Sequence, residues 1–236
     1  MQSVGLLFKV LWSPAEAMSL LSKNPRVIAP IVFLCLFSSL TGALVMTKVD
    51  AAELAMRAIE RSPQGANLPA EAKENIRRQM NSPLMKGFTR VSTVIGLIVS
   101  IVIVAAIYFA LFTMLGREGG FKAFFSITAF AFIPTIFSQL AAVLRAFTIP
   151  SSSIMPDELA SLSLGVFLDR DSVSPVLFTG VNMIDLVSIW VLILLVIGYG
   201  FVARKSLSKT TRAAAVVGMF LVYAGLRLLL AGIRGV

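Results

Sequence analysis

Histidine is absent from the 236 residues, which removes the usual general base near neutral pH and the commonest ligand of transition metals together. Cysteine occurs once, as Cys35 inside an apolar run. No disulfide can therefore form within the chain, and the residue reads as a small packing side chain rather than a reactive thiol. Charge is scarce, with Asp, Glu, Lys and Arg making up 14% of the chain, well below the share of an ordinary soluble domain. Hydrophobic residues reach 57% and mean hydropathy is +0.89, so too little polar surface remains to cover a fold in water. The expected class is all-α, a polytopic membrane helical bundle, because helices satisfy their own backbone in lipid.

The charge that is present is unbalanced, at +9. In a soluble domain this would suggest nucleic acid. Here no compact basic module is left over, and the cations sit beside apolar runs, where anionic lipid head groups are the nearer partner. No positive start, apolar core and small-residue cleavage site precede Val27, so the first apolar run is expected to act as an uncleaved anchor.

Five apolar runs are long enough to cross hydrocarbon at about 1.5 Å per residue. They lie at about 27–46, 91–115, 121–147, 182–202 and 213–233. The sequence predicts five transmembrane helices in a membrane domain over 27–236, preceded by short interfacial helices in 1–26 and interrupted by extramembrane loops at 47–90 and 148–181. The organising stretch is Thr113 to Gln139. Gly116, Gly119 and Gly120 give the backbone freedom for a tight reversal, and Arg117, Glu118 and Lys122 keep that reversal in water. Pro134 then falls inside an apolar segment, where it deletes a helical N–H and predicts a kink or break near Ile133. A kinked helix beside a straight one leaves a crevice.

At the N-terminus, Val4 to Leu11 is too short to span and is expected at the interface, with Lys9 and Trp12 at head-group level. Ser13-Pro14-Ala15-Glu16 predicts a capping box with Pro14 at the first helical position, opening a short helix that Asn24-Pro25 ends. This region reads either as a ramp into the first span or as a docking surface for a cytoplasmic partner. Within 47–90, Asp50, Glu53, Arg57 and Glu60 share one helical face while Val49, Ala52, Met56 and Ile59 share another. A second helix over Pro69 to Met80 carries Glu74 and Arg78 at i,i+4 spacing. The two form an amphipathic helical hairpin, broken at Ser62-Pro63-Gln64-Gly65 and expected on or above the outer membrane surface. In the 148–181 loop, Asp157 to Leu164 predicts a helical turn, and Asp169-Arg170-Asp171 reads as solvated charge rather than a metal site.

Three stretches, in order, carry a resemblance: LLFKVLWSPAEAMSLLSKNPRVIAPIVF with its P-x-x-x-x-P before the first span, LGREGGFKAFF leading into AFAFIP, and IGYGFVARKSLSKTTRAAAV. Together they resemble the Yip family of Ypt/Rab-interacting, five-span membrane proteins, in its bacterial form. The resemblance implies a role in membrane organisation or trafficking through protein partners.

Chemistry within the spans is sparse. No serine has a histidine and no carboxylate has a second carboxylate beside it, so an enzyme is not expected; nor is a cofactor or metal. The hydroxyls of Ser100, Ser126, Thr128 and Ser138 are expected to bond back to their own helices. The function read from the sequence is a membrane scaffold or adaptor that organises membrane or recruits proteins. The alternative is a transporter or channel component that moves an ion, lipid or small molecule along the Pro134 crevice, with Gln139 and Arg145 as its polar groups. The short RKSLSKTTR connection, with four cations, predicts a multi-pass cell-membrane protein with a cytoplasmic N-terminus and an external C-terminus. In the last span Gly218, Gly225 and Gly232 recur every seven residues. On this small face Gly218 and Gly225 are expected to contact another helix of the chain, or else to form the seam of a homo-oligomer.

Asp185 and Arg227 are expected to meet near the outer end of the bundle, since antiparallel neighbouring spans put both at similar depth; Arg145 competes for the carboxylate. If the two residues pair, Asp185→Asn and Arg227→Gln each lower thermal stability in detergent, and the double variant loses much less than their sum. Strictly additive losses would mean that they do not meet.

Overall fold

The computed structural model describes residues 2–61, 65, 67–151, 154, 159–168 and 172–234. In chain order its helices are α1 (Gln2–Trp12), α2 (Pro14–Lys23), α3 (Ile28–Val45), α4 (Ala51–Arg61), α5 (Ala70–Asn81), α6 (Pro83–Leu115), α7 (Phe121–Ala131), α8 (Thr135–Thr148), α9 (Pro175–Asn182), α10 (Leu186–Gly200) and α11 (Lys209–Arg234). The fold is an all-α polytopic bundle. Among the described residues four segments are long and apolar enough to cross a membrane: Ile28–Val45, Pro83–Leu115, Phe121–Thr148 and Lys209–Ile233. The fifth apolar helix, α10, has 15 residues, about 22 Å at 1.5 Å per residue, where 182–202 was expected. It is shortened at both ends. Asp185 pairs with Ser163 in an antiparallel bridge before it, and Ala203 pairs with Arg117 after it.

Two compact units divide the chain. One comprises Met1–Leu36, Gly96–Ile136 and Leu186–Gly225; the other comprises Phe37–Ile95, Phe137–Asp185 and Leu226–Val236.

In the first unit α2 packs against α7 and α10, with Ala17, Met18 and Leu21 fully buried. The N-terminal segment is thus part of the core rather than a ramp into the first span. Gly198 is what allows the approach: a Cβ there would stand 2.4 Å from Ile127 Cγ2 and 3.1 Å from Met18 Sδ. Pro14 occupies the start of α2 as expected, but Ser13 makes no side-chain cap. Glu16 instead pairs with Lys9 of α1 and accepts from the Ser13 hydroxyl at 3.3 Å. A charge-assisted bond displaces the neutral capping box, and the hydrogen bond from Lys9 holds the Glu16 carboxyl below its ordinary value.

The centre of this unit is aromatic. The Tyr199 ring lies 4.8 Å from Tyr108, 5.1 Å from Phe124 and 5.9 Å from Phe112, centroid to centroid. Both tyrosine hydroxyls are engaged, as buried phenols require: Tyr199 with Thr128 Oγ1 at 2.6 Å, and Tyr108 donating to the Val216 carbonyl at 3.0 Å. Ser126, fully buried, departs from the expectation that span hydroxyls return to their own helix. It accepts from the Arg26 N–H at 2.9 Å and donates to the Arg26 carbonyl at 3.0 Å. The segment before α3 has left helical geometry, so its free backbone groups offer better partners than the turn below. Ser100 behaves as expected, donating to the Gly96 carbonyl at 2.7 Å.

In the second unit the apolar face of α4 turns inward. Val49, Ala52 and Met56 are buried, and Val49 forms a small core with Ala146 and Ile154, flanked by Val45, Leu54 and Leu159. The apolar face expected on this helix is thus covered within the chain. Arg57 fixes the arrangement, donating to the carbonyls of Ser151 at 2.6 Å and Ile154 at 2.9 Å and pairing with Glu53 at 2.6 Å. The α4–α5 hairpin forms, and Glu74 and Arg78 pair at 3.1 Å. The helix that holds the expected span 91–115 begins at Pro83, because Ser82-Pro83 is a helix start: the Ser82 hydroxyl accepts from the Met85 N–H at 3.3 Å. Residues 62–64, 155–158 and 169–171, which hold parts of the expected hairpin break, the loop turn and the Asp-Arg-Asp cluster, lie outside the described residues.

Because Ser126 links two segments, Ser126→Ala is expected to lower stability by about 1–3 kcal/mol, whereas Ser100→Ala stays within about 0.5 kcal/mol. Thermal unfolding in detergent measures both. Equal effects would mean that the Ser126–Arg26 bonds do not form.

Candidate functional site

The first unit carries the one region where backbone, charge and glycine geometry converge: the turn after α6 and the segment after α10. Gly116 still bonds the Phe112 carbonyl at 2.8 Å, then takes φ +114°, a left-handed value that favours glycine. The chain runs on antiparallel to the second segment, with Arg117 opposite Ala203. The N–H groups of Glu118 and Gly119 donate to the Val202 carbonyl at 2.8 and 3.2 Å, and the Arg204 N–H donates to the Gly116 carbonyl at 3.0 Å. Glu118 Oε1 accepts from the Lys205 N–H at 3.0 Å. The two connections are one paired structure.

Side chains brace it on both sides. The Arg117 guanidinium lies over the Phe109 ring at 4.4 Å and donates to Thr113 Oγ1 at 2.9 Å and the Gly119 carbonyl at 2.8 Å. Arg212 uses three N–H groups on three carbonyls, Leu207 at 3.0 Å, Gly200 at 2.9 Å and Lys205 at 3.0 Å, so the last turn of α10 and the loop beyond it share one fork. Close approach also needs Gly119, whose Cβ would stand 2.9 Å from Val202 Cβ. Val202 and Ala203 are buried, while Arg117, Lys122, Arg204, Lys205 and Lys209 are exposed. Glu118 is the single acid in 115–122 and 200–212. The result is a rigid, basic surface carried on backbone hydrogen bonds.

The remaining expected residues are dispersed. In the first unit Pro134 is buried at the break between α7 and α8, where Thr135 and Ile136 make short i→i−3 bonds to Phe132 and Ile133, as the missing N–H demands. Gly120 stands at the N-cap of α7. Gly218 and Gly225 have nothing within 4 Å of an added Cβ. The expected contact of these glycines with another helix of the chain is thus not made among the described residues, where the buried residues of α11 are Val216 and Ala231. In the second unit, Gln139 Oε1 lies 2.9 Å from the Thr41 hydroxyl, Arg145 is in the last turn of α8, Asp185 precedes α10, and Arg227 is exposed on α11. Sequence reading missed Arg212, Val202 and Gly198. Arg212 was visible only as one more cation in a basic run, because its carbonyl partners are set by tertiary structure.

A family model described as the Yip1 domain matches residues 8–231. No curated protein and no solved structure matches the chain.

The glycine geometry separates three neighbouring positions. Gly119→Val, which crowds Val202, and Gly116→Ala, strained at its φ, are each expected to lower stability by about 1–3 kcal/mol. Gly120→Ser, at an N-cap with nothing within 4 Å of an added Cβ, leaves it unchanged or raises it. Melting temperatures in detergent give the ranking, and a harmless Gly119→Val would contradict the pairing.

Proposed function

The chain belongs to the Yip1 family, and from that premise we propose that it is a multi-pass membrane scaffold or adaptor, without catalytic chemistry of its own, that recruits protein partners through the paired turns. The observation that carries this reading is the fixed, exposed set of cations around 116–120 and 202–209. Scaffolding needs a surface of constant shape rather than convergent reactive groups, and electrostatic complementarity gives such a surface its specificity. Partners with acidic faces suit it. Within the bundle, the Ser126, Thr128 and Tyr199 hydroxyls are engaged in bonds to the chain itself, which suits a static frame. Anionic lipids gather at the same surface. Self-association through the Gly218, Gly225 and Gly232 face belongs to this reading, because small faces let helices approach closely in lipid.

The proposed topology has five spans in the cell membrane, with the N-terminus and the paired turns in the cytoplasm and the C-terminus outside. The four cations of 204–212 support it through their bias toward the cytoplasmic side.

Crosslinking from native membranes, followed by affinity capture, tests the recruiting role. The expected result is a recurrent protein that is lost when Lys205→Glu and Lys209→Glu are combined, with impermeant reagents failing to label Ser208→Cys from outside intact cells in a Cys35→Ala background. Solute flux through the purified chain in proteoliposomes, with no charge-dependent partner, would replace the scaffold by a transporter. External labelling of Ser208→Cys would invert the topology.

A further inference from the structure

The α1–α2 hairpin encloses a cavity of about 500 Å³, open to the outside and lined by Leu6, Lys9, Trp12, Leu20, Asn24 and Arg26, with Gly5 completing the wall. Its position is set by the chain: Arg26 lies two residues before Ile28, where the first span begins. The cavity therefore sits at the start of the first helix long and apolar enough to cross a membrane.

Its lining has two characters. Trp12 is 70% exposed and Leu20 is 44% exposed, a combination that water disfavours but the membrane interface accepts, since tryptophan concentrates there. Hydrogen-bond donors share the lining with these apolar groups. An ammonium has three N–H groups, so Lys9 keeps two after its bond to Glu16. Arg26 brings a planar fork suited to phosphate oxygens, on a backbone fixed by its reciprocal bonds with Ser126. Among the described residues no carboxylate lines the cavity. Glu16, the nearest acid in sequence, is occupied by Lys9 and Ser13.

We propose that this cavity binds an anionic glycerophospholipid, with the phosphodiester against Lys9, Asn24 and Arg26 and the upper part of one acyl chain along Leu6, Trp12 and Leu20. The volume lies within the range of ligand sites, about 300–1,000 Å³, and suits a head group with part of a chain rather than a whole lipid. The apolar wall selects a membrane lipid over a free phosphate. The donors select an anionic head group over a zwitterionic one, whose own ammonium they would repel.

Fluorescence quenching tests it directly. The chain has two tryptophans, so Trp190→Phe leaves Trp12 as the sole reporter. The full-length protein in nanodiscs is compared with minority brominated phosphatidylglycerol and with brominated phosphatidylcholine. The expected result is a preference for phosphatidylglycerol of at least about tenfold, as two cations at a lipid surface supply. Lys9→Gln combined with Arg26→Gln reduces the preference to near unity, whereas Lys23→Gln, a cation outside the cavity, leaves it intact. Gly5→Phe fills the cavity without touching a charge, and an added Cβ there meets nothing within 4 Å; it too removes the preference, which keeps the test decisive if the double charge variant fails to fold. Equal quenching by both lipids would overturn the proposal. So would an undiminished preference in Gly5→Phe, or a loss in Lys23→Gln as large as that in the double variant, which would indicate diffuse surface attraction. Abolition of the preference by millimolar inorganic phosphate would make the site one for free anions instead.

Discussion

Backbone groups that leave a helix at the edge of a membrane must find hydrogen-bond partners, and here two connections satisfy each other. The Val202 carbonyl receives two N–H groups from the turn after α6, and the Gly116 carbonyl receives one in return. Val202 and Ala203 are buried, where an unpaired backbone group costs about 1–3 kcal/mol, so this exchange fixes where α6 and α10 end and where α7 begins. The left-handed φ at Gly116, the missing Cβ at Gly119 and the Arg212 fork all serve the same pairing. Loss of any one of them leaves polar groups exposed on both segments.

Much of the architecture is legible because it is local. Apolar runs gave the places of the four long apolar helical segments among the described residues, Pro134 gave the break between α7 and α8, and i,i+4 spacing gave the Glu74–Arg78 pair. The glycine turn was recognised for the freedom of its backbone, and Gly116 uses that freedom. Partners distant in sequence were not legible. Ser126 and Arg26 are 100 residues apart, and Glu118 meets Lys205 across 87; no periodicity reports such contacts. The same limit applies to packing faces. The small stripe of α11 suggested close packing within the chain, yet an added Cβ at Gly218 or Gly225 meets nothing within 4 Å, and the burial of Ala52 and Met56 on α4 depends on partners that periodicity does not name.

The chemistry of the chain agrees with its structure in one respect that bears on function. A sequence without histidine and with few intramembrane charges supplies packing, hydroxyl bonds and aromatic contacts, and these build a frame. Cations stand at the paired turns and on the α1–α2 hairpin, the one set carried by antiparallel backbone pairing and the other on helices packed into the core. Preorganised donors lose little entropy on binding, which is the physical basis on which a recruiting role is proposed.

Amide hydrogen exchange of the intact protein in nanodiscs tests the pairing of the two connections most directly. Glu118, Gly119, Arg204 and Lys205 lie in loops, where amides ordinarily exchange fast, yet each N–H is bonded across the pair. The account predicts slow exchange at these four positions, with joint loss of protection in Gly119→Val. Fast exchange at all four in the unmodified protein would contradict it.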